Sequence, residues 1–246
     1  MSKEGFDNET RIMAYLNCKK YSELNNNMKA FIKDLAGERI GDKDTICCCK
    51  KGGAKKGDIG VLIKEKVYNV SIKSGSGNSV HQEPVEDFIK FLKSDYSITQ
   101  SLANDIRLFI WGDGTTDGSG EKGSRVGRQK LKTNYAVQIK NLNKFFSENR
   151  KELIRRFVVS GKTRGSDIDY LYYGKIDSGF WASSSKVVEW LSNDQAARRN
   201  AVSVGRLTFQ AWNRNVNGGD KSEHKRGQIQ LKWGAVGKDL EKIMKE

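Results

Sequence analysis

The chain has 246 residues, enough for one large domain or two small ones with a real hydrophobic core. Charged residues make up 30% and apolar residues 37%, and the net charge of +14 points to a polyanionic partner, either nucleic acid or an acidic membrane surface. No apolar run reaches the roughly 18 residues of a membrane-spanning helix, and the first residues lack the apolar segment of a signal peptide.

Two helices are predicted at the start of the chain. Residues 8–24 have Ile12 and Leu16 on one face, with Asn8 as a plausible N-cap. Residues 26–40 predict a second helix that ends near Gly37.

Short strands are predicted next. Residues 44–51 include three consecutive cysteines, whose side chains alternate between the two faces of a strand and so cannot all bind one metal ion. The four cysteines of the chain fit no disulfide or zinc spacing, so we expect a reduced, cytoplasmic protein. Residues 58–65 and 66–73 predict two further strands, joined in a hairpin at Glu65-Lys66.

This hairpin carries the pattern that points to chemistry. Asp58 opens its first strand and Lys73 closes its second, so both side chains are expected at the same end of the hairpin. Ser71 shares a strand face with Lys73. Hydrolysis of a phosphodiester needs a metal ion, carboxylates that hold it and a positive group near the attacking water. The alternative is an ordinary amphipathic hairpin with a surface aspartate and a surface lysine.

A polar loop, two helices and a second loop are predicted after the hairpin. Residues 74–83 form a Gly- and Ser-rich loop, and Pro84 occupies the first turn of the following helix. Residues 97–111 predict another helix. The start of residues 112–125 imitates a calcium-binding loop, but its twelfth position is Ser124 instead of Glu, so we predict a flexible loop.

Basic residues are concentrated in residues 121–164, which hold 13 Lys or Arg and 3 acidic residues. The helices expected there could simply present a solvated face, or they could hold phosphates without reading bases. Residues 160–167 form a basic loop with Lys162 and Arg164.

Strands and a helix are predicted in the remainder of the chain. Arg206 and Gln210 share one face of a predicted strand, and Asn213 and Arg214 begin a polar loop, so all four are candidates for reading bases in a groove. The alternative is an edge strand with polar outward residues.

The spacing of Gly57-Asp58 and Ser71-Ile72-Lys73 resembles the motif of the PD-(D/E)XK nucleases. The resemblance implies that Asp58 is a metal ligand and that Lys73 orients the water. Ser71 replaces the usual second carboxylate. Some restriction endonucleases of this superfamily take that carboxylate from the following helix, which implies Glu86, and Glu9 and Glu83 are the alternatives.

A narrower resemblance is to the small monomeric restriction endonucleases typified by MspI and HhaI. It is carried by residues 5–9, by the strand pair and its polar loop, and by the segments 202–215 and 226–233. It implies Mg²⁺ as cofactor, double-stranded DNA as partner, 5′-phosphate products and a monomer, with no role for a membrane. Gln82 becomes a loop contact to DNA; Asn78 and His81 lie in the same loop, where His81 contacts phosphate or solvent more plausibly than it acts as a base.

The expected fold is therefore α/β (α+β): a restriction-endonuclease-like core with a mixed central sheet flanked by helices, plus a smaller C-terminal β-rich part that recognises DNA. We expect a catalytic core over residues 1–111, a flexible loop over residues 112–125 and a basic recognition region over residues 126–246. The expected activity is that of a Type II restriction endonuclease. A structure-specific repair or recombination nuclease and a non-catalytic basic binding module are the alternatives.

Overall fold

The computed structural model describes residues 3–37, 40–51, 56–76, 78–162, 165–193, 202–216 and 220–246. The helices are α1 (Lys3–Leu16), α2 (Asn26–Ala36), α3 (Val85–Tyr96), α4 (Gln100–Trp111), α5 (Arg128–Asn134), α6 (Ala136–Glu148), α7 (Arg150–Ile154), α8 (Ser184–Ser192) and α9 (Val236–Lys245). The strands are β1 (Lys19–Lys20), β2 (Thr45–Lys50), β3 (Ile59–Ile63), β4 (Lys66–Lys73), β5 (Ser79–Pro84), β6 (Tyr170–Lys175), β7 (Ser178–Ser183), β8 (Ser203–Val204), β9 (Leu207–Ala211) and β10 (Gln228–Lys232).

The chain divides into two compact units. The first comprises Met1–Asn78, Arg155–Leu191 and Gly234–Glu246, and the second comprises Ser79–Ile154 and Ser192–Trp233. These boundaries differ from the division expected at residues 111 and 125, because the chain enters the second unit directly after the hairpin and returns to the first unit twice.

The first unit is built on a six-stranded mixed sheet in the order β1-β2-β3-β4-β6-β7. Only the β4–β6 pair is parallel among the paired strands of the described residues. Helix α1 packs against β2, and α2 and α9 pack against β7. Phe31 of α2 lies against Tyr172 and Trp181, with ring centroids 5.0 and 5.5 Å away. The predicted mixed sheet flanked by helices is confirmed.

The second unit contains a four-stranded antiparallel sheet in the order β5-β10-β9-β8. Its core side carries a cluster of four phenylalanines from α3, α4, α6 and β9. The ring centroids of Phe88, Phe109 and Phe146 lie between 4.9 and 5.9 Å from that of Phe209. This cluster buries the amphipathic helices against one face of the sheet and leaves the opposite face polar.

Several predicted boundaries were wrong. Helix α1 begins at Lys3, so Asn8 lies inside the helix and does not cap it. The polar loop after the hairpin is shorter than expected, because Ser79–Pro84 is strand β5 and pairs with β10. Strand β7 and helix α9 were not predicted. Within the described residues, no helix is long and apolar enough to cross a membrane.

Candidate active site

Asp58, Ser71 and Lys73 converge at one end of the β3–β4 hairpin, as predicted. The Oδ2 atom of Asp58 accepts hydrogen bonds from the Ser71 hydroxyl at 3.0 Å and from the Lys73 ammonium at 3.2 Å. The backbone N–H of Ile72 donates to the same oxygen at 2.6 Å. Three donors therefore fix one oxygen of the carboxylate.

The hairpin backbone holds Asp58 in place as well. Its N–H donates to the carbonyl of Val70 at 2.9 Å, and its carbonyl accepts from the N–H of Lys51 at 3.1 Å. Asp58 thus extends β3 by one residue in its pairing with β2 on one side and β4 on the other. The side chains of Asp58 and Lys73 keep 12% and 18% of their surface exposed, so the pair is accessible to a ligand while largely shielded from water.

Glu9 of α1 belongs to the same site. Its side chain is buried, and burial together with the negative charge of Asp58 raises its pKa, while the positive charge of Lys73 acts in the opposite direction. Lys50 and the N-terminus also act to lower this pKa, but the net shift is upward, so burial and the charge of Asp58 outweigh the positive charges. No hydrogen-bond donor contacts the Glu9 carboxylate within the part of the chain that the structure describes.

The two other acids considered as partners of Asp58 belong to the second unit and are engaged there. Both carboxylate oxygens of Glu86 accept hydrogen bonds from Arg107, at 2.7 and 2.6 Å, and this contact lowers the pKa of Glu86. Glu83 is buried, and its Oε1 lies 2.8 Å from Nε2 of His81. Of the three acids, Glu9 is the one whose pKa responds to the charge of Asp58.

These residues fit a divalent ion such as Mg²⁺. Carboxylate oxygens are hard ligands, and Mg²⁺ in phosphoryl-transfer sites is commonly bound by one or two carboxylates, with substrate phosphates and waters completing its coordination. Among the residues described, no group of three or more potential ligands is present. Glu9 and Asp58 match the two-carboxylate arrangement, and a cation between them would relieve the repulsion that raises the pKa of Glu9.

The residues of the predicted DNA-contacting loop are divided between two faces of β5. Buried His81 is turned to the core side, where it lies opposite Leu231, so its predicted contact with phosphate or solvent does not fit this position. Gln82 points to the opposite, polar face, and its Nε2 donates to Ser79 Oγ at 2.9 Å. Asn78 precedes the strand and donates to the carbonyl of Gly75 at 3.1 Å.

Three of the other predicted DNA contacts lie at exposed or half-exposed positions. Arg206 is exposed in the turn between β8 and β9, and Gln210 lies on the polar face of β9. Lys162 is exposed, and Arg164 lies outside the described residues.

Asn213 and Arg214, which were also predicted to contact DNA, make hydrogen bonds within the protein. The amide of Asn213 donates to the carbonyl and the hydroxyl of Ser222, which shapes the loop from within. The guanidinium of Arg214 donates to the carbonyl of Phe109 at 2.6 Å, and burial lowers its pKa to about 10. Both side chains are therefore engaged in contacts that hold the second unit together.

A second charged cluster was not predicted. Asp113 lies in the loop predicted to be flexible, yet its side chain is fully buried and its Oδ2 accepts from Arg226 at 2.9 Å. Glu223 accepts from Arg125 at 2.9 Å and lies 3.3 Å from Arg226. These four residues, named here the arginine clamp, tie residues 113–125 to residues 223–226. The N–H and the hydroxyl of Thr115 donate to Asp113 Oδ1. The sequence that resembles a calcium-binding loop therefore forms hydrogen bonds within the loop.

The fold of the chain is that of a restriction endonuclease. No family model matches the chain, and no curated protein matches its sequence. Among solved structures, it is similar to the restriction endonuclease MspI in complex with its cognate DNA, with a TM-score of 0.58. The match covers 91% of this chain and 87% of that one at 17% sequence identity. The likeness confirms the predicted restriction-endonuclease-like fold.

Proposed function

We propose that the protein is a Mg²⁺-dependent endonuclease that cuts double-stranded DNA at a specific sequence, as a Type II restriction enzyme does. The observation that carries this proposal is the contact of Ser71 and Lys73 with one oxygen of Asp58, beside the buried Glu9. The restriction-endonuclease-like fold supports it, since the solved structure that it matches is a DNA complex. The net charge of +14 fits a polyanionic substrate.

Each residue of the site has a defined task. Glu9 and Asp58 would hold the metal ion, which supplies Lewis-acid stabilisation of the phosphate and a more acidic bound water. Lys73 places a positive charge beside the attacking water and offsets the charge that develops on the phosphate. Ser71 and the N–H of Ile72 fix the orientation of the Asp58 carboxylate through the oxygen that they share with Lys73. The products are expected to carry 5′-phosphates.

The test is cleavage of plasmid DNA with Mg²⁺ by the wild type, by Lys73→Ala and by Lys66→Ala. Lys66 is the matched control, because it is exposed at the other end of the same strand and lies over the ring of Tyr68. We expect discrete fragments from the wild type and from Lys66→Ala, and a cleavage rate about 100- to 1,000-fold lower for Lys73→Ala.

The other outcomes identify the alternatives. Cutting that is confined to branched or damaged DNA would indicate a structure-specific repair nuclease. Tight, salt-sensitive DNA binding without cutting, with or without Mg²⁺, would indicate a non-catalytic binding module. Equal cleavage by Lys73→Ala and the wild type would remove Lys73 from the active site.

A further inference from the structure

Three glutamines form a row across the sheet of the second unit. Gln230 of β10 pairs in register with Gln82 of β5 on one side and with Gln210 of β9 on the other. Directly paired residues of neighbouring strands point to the same face of a sheet, about 5 Å apart. The sequence places these residues about 20 and 150 positions apart, so the row becomes visible only once the strands are paired.

Hydrogen bonds preorganise the row. Nε2 of Gln210 donates to Oε1 of Gln230 at 2.9 Å, and Gln230 is only 5% exposed. The amide–amide bond uses one N–H of the pair and one carbonyl oxygen. Both N–H groups of Gln230, the second N–H of Gln210 and the carbonyl oxygen of Gln210 remain, and within the described residues no protein group engages them.

Among the described residues, the paired positions beside the row on this face carry no carboxylate. Thr208 and Lys232 pair at one end of the row, and Lys232 also pairs with Ser79. At the other end, Lys225 places its ammonium 4.0 Å from the ring centroid of Trp212. The acid of β5, Glu83, is on the opposite, buried face. We name the surface formed by Gln82, Thr208, Gln210, Gln230 and Lys232 the glutamine face.

We propose that the glutamine face reads base edges in the major groove of duplex DNA and that the base it selects is adenine. This inference rests on the proposed function and specifies its substrate. The charge of the face complements phosphate, because lysines flank amide and hydroxyl groups and, within the described strands, no paired position between them on this face is acidic.

The chemistry of the amides favours adenine. In the major groove, adenine presents an acceptor at N7 and a donor at N6, and glutamine satisfies both through its own donor and acceptor. The donor of Gln230 and the acceptor of Gln210 offer this combination from two side chains. Guanine presents two acceptors there, so it would leave the amide acceptor unpaired. The row therefore discriminates against guanine by its hydrogen-bonding pattern.

The experiment selects duplexes from a random library by binding to the Lys73→Ala protein, so that its readout does not depend on cleavage. We expect an enriched motif that contains adenine, and a preference of about 10- to 100-fold over guanine at that position. Gln210→Glu replaces the amide donor with a second acceptor on a half-exposed side chain. It is expected to shift the preference at one position from adenine to cytosine, whose N4 is a donor.

The controls separate this inference from the proposed function. Gln129→Ala changes an exposed glutamine on α5 and is expected to leave the motif unchanged. Gln82→Ala, tested alongside, is expected to weaken selection at one position of the motif. A thermal melt verifies that this variant is still folded. A motif without adenine, or one unchanged by both Gln210→Glu and Gln82→Ala, would overturn the inference. An adenine-containing motif bound by a wild type that never cuts would support the inference and overturn the nuclease.

Discussion

The two charged clusters of this protein differ in how well their charges are balanced. The cluster at the end of the β3–β4 hairpin combines Glu9 and Asp58 with Lys73, and the pKa of Glu9 is raised by burial and by Asp58. The arginine clamp combines two acids with two guanidiniums. In the clamp, burial alone would raise the pKa of Asp113, but hydrogen bonds from Thr115 and Arg226 outweigh it and lower that pKa.

We interpret this difference as follows: the hairpin cluster is suited to bind a ligand, and the arginine clamp stabilises the fold. An uncompensated acid costs stability, so its position next to a second acid is understandable if a bound cation completes the set. The clamp needs no further charge, because each of its acids already contacts an arginine. A matched pair of Asp→Asn substitutions, one in each cluster, tests this distinction directly.

The largest effect is expected for Asp58→Asn. The substitution removes the negative charge that is proposed to bind the metal, while it keeps an oxygen for Ser71 and the N–H of Ile72. We expect cleavage to fall by about 1,000-fold, equivalent to about 4 kcal/mol. The urea midpoint of unfolding should change less than in Asp113→Asn, because the lost ion pair with Lys73 is offset by relief of the repulsion between Asp58 and Glu9. Measured cleavage within tenfold of the wild type would show that the hairpin is an ordinary surface feature.

The reverse result is expected for Asp113→Asn. The amide has one acceptor oxygen, so either the guanidinium of Arg226 or the donors of Thr115 face an NH2 group. The ion pair with Arg226 is lost in both cases, and breaking a buried ion pair costs about 3 kcal/mol. Urea unfolding should show this loss, whereas the cleavage rate per folded molecule should stay within a few-fold of the wild type. A variant that is as stable as the wild type would show that the clamp does not hold these loops.

Much of the first cluster could be predicted from the sequence because its geometry is local. Asp58 and Lys73 lie 15 residues apart on one hairpin, and strand periodicity alone brings them together. The choice among Glu9, Glu83 and Glu86 could not be made in this way. Glu83 and Glu86 follow the hairpin closely, whereas Glu9 precedes it on a separate helix. Only the packed structure shows that Arg107 engages Glu86 and that the charge of Asp58 acts on Glu9.

The second cluster could not be predicted because its partners are distant in the chain. Asp113 and Arg226 are 113 residues apart, so the Gly- and Asp-rich loop had no visible reason to be ordered. Strand β5 was missed for the same reason, since its polar sequence is strand-like only when β10 pairs with it. The alternation of apolar and polar residues in β9 could be seen in the sequence, but the pairing of Gln210 with Gln230 and of Gln230 with Gln82 could not.

Glu9→Gln should weaken activation by Mg²⁺ without lowering the stability of the fold. The substitution removes one metal ligand charge, so we expect about tenfold weaker Mg²⁺ activation, equivalent to about 1.4 kcal/mol. Burial and the charge of Asp58 raise the pKa of Glu9, which means that they disfavour its charged form. Because Gln carries no charge at this position, the melting temperature should not fall. Mg²⁺ titration of cleavage and a thermal melt test both halves. Unchanged Mg²⁺ dependence would return Glu83 and Glu86 to consideration as the second ligand.

The smallest effect concerns Glu223, and it is lost in acid. Hydrogen bonds from Asn215 and Arg125 lower its pKa from the ordinary value of 4.5 to about 2. A carboxylate with a lowered pKa stabilises the folded state above its unfolded pKa, and this contribution is lost as the pH falls through the folded value. Glu223→Gln should therefore be less stable than the wild type at pH 7, with a difference that shrinks between about pH 4.5 and pH 2. Because all other acids titrate in both proteins, the difference between their urea midpoints isolates Glu223. A difference that stayed constant down to pH 2 would mean that the Glu223 carboxylate is not held in its charged form by the clamp.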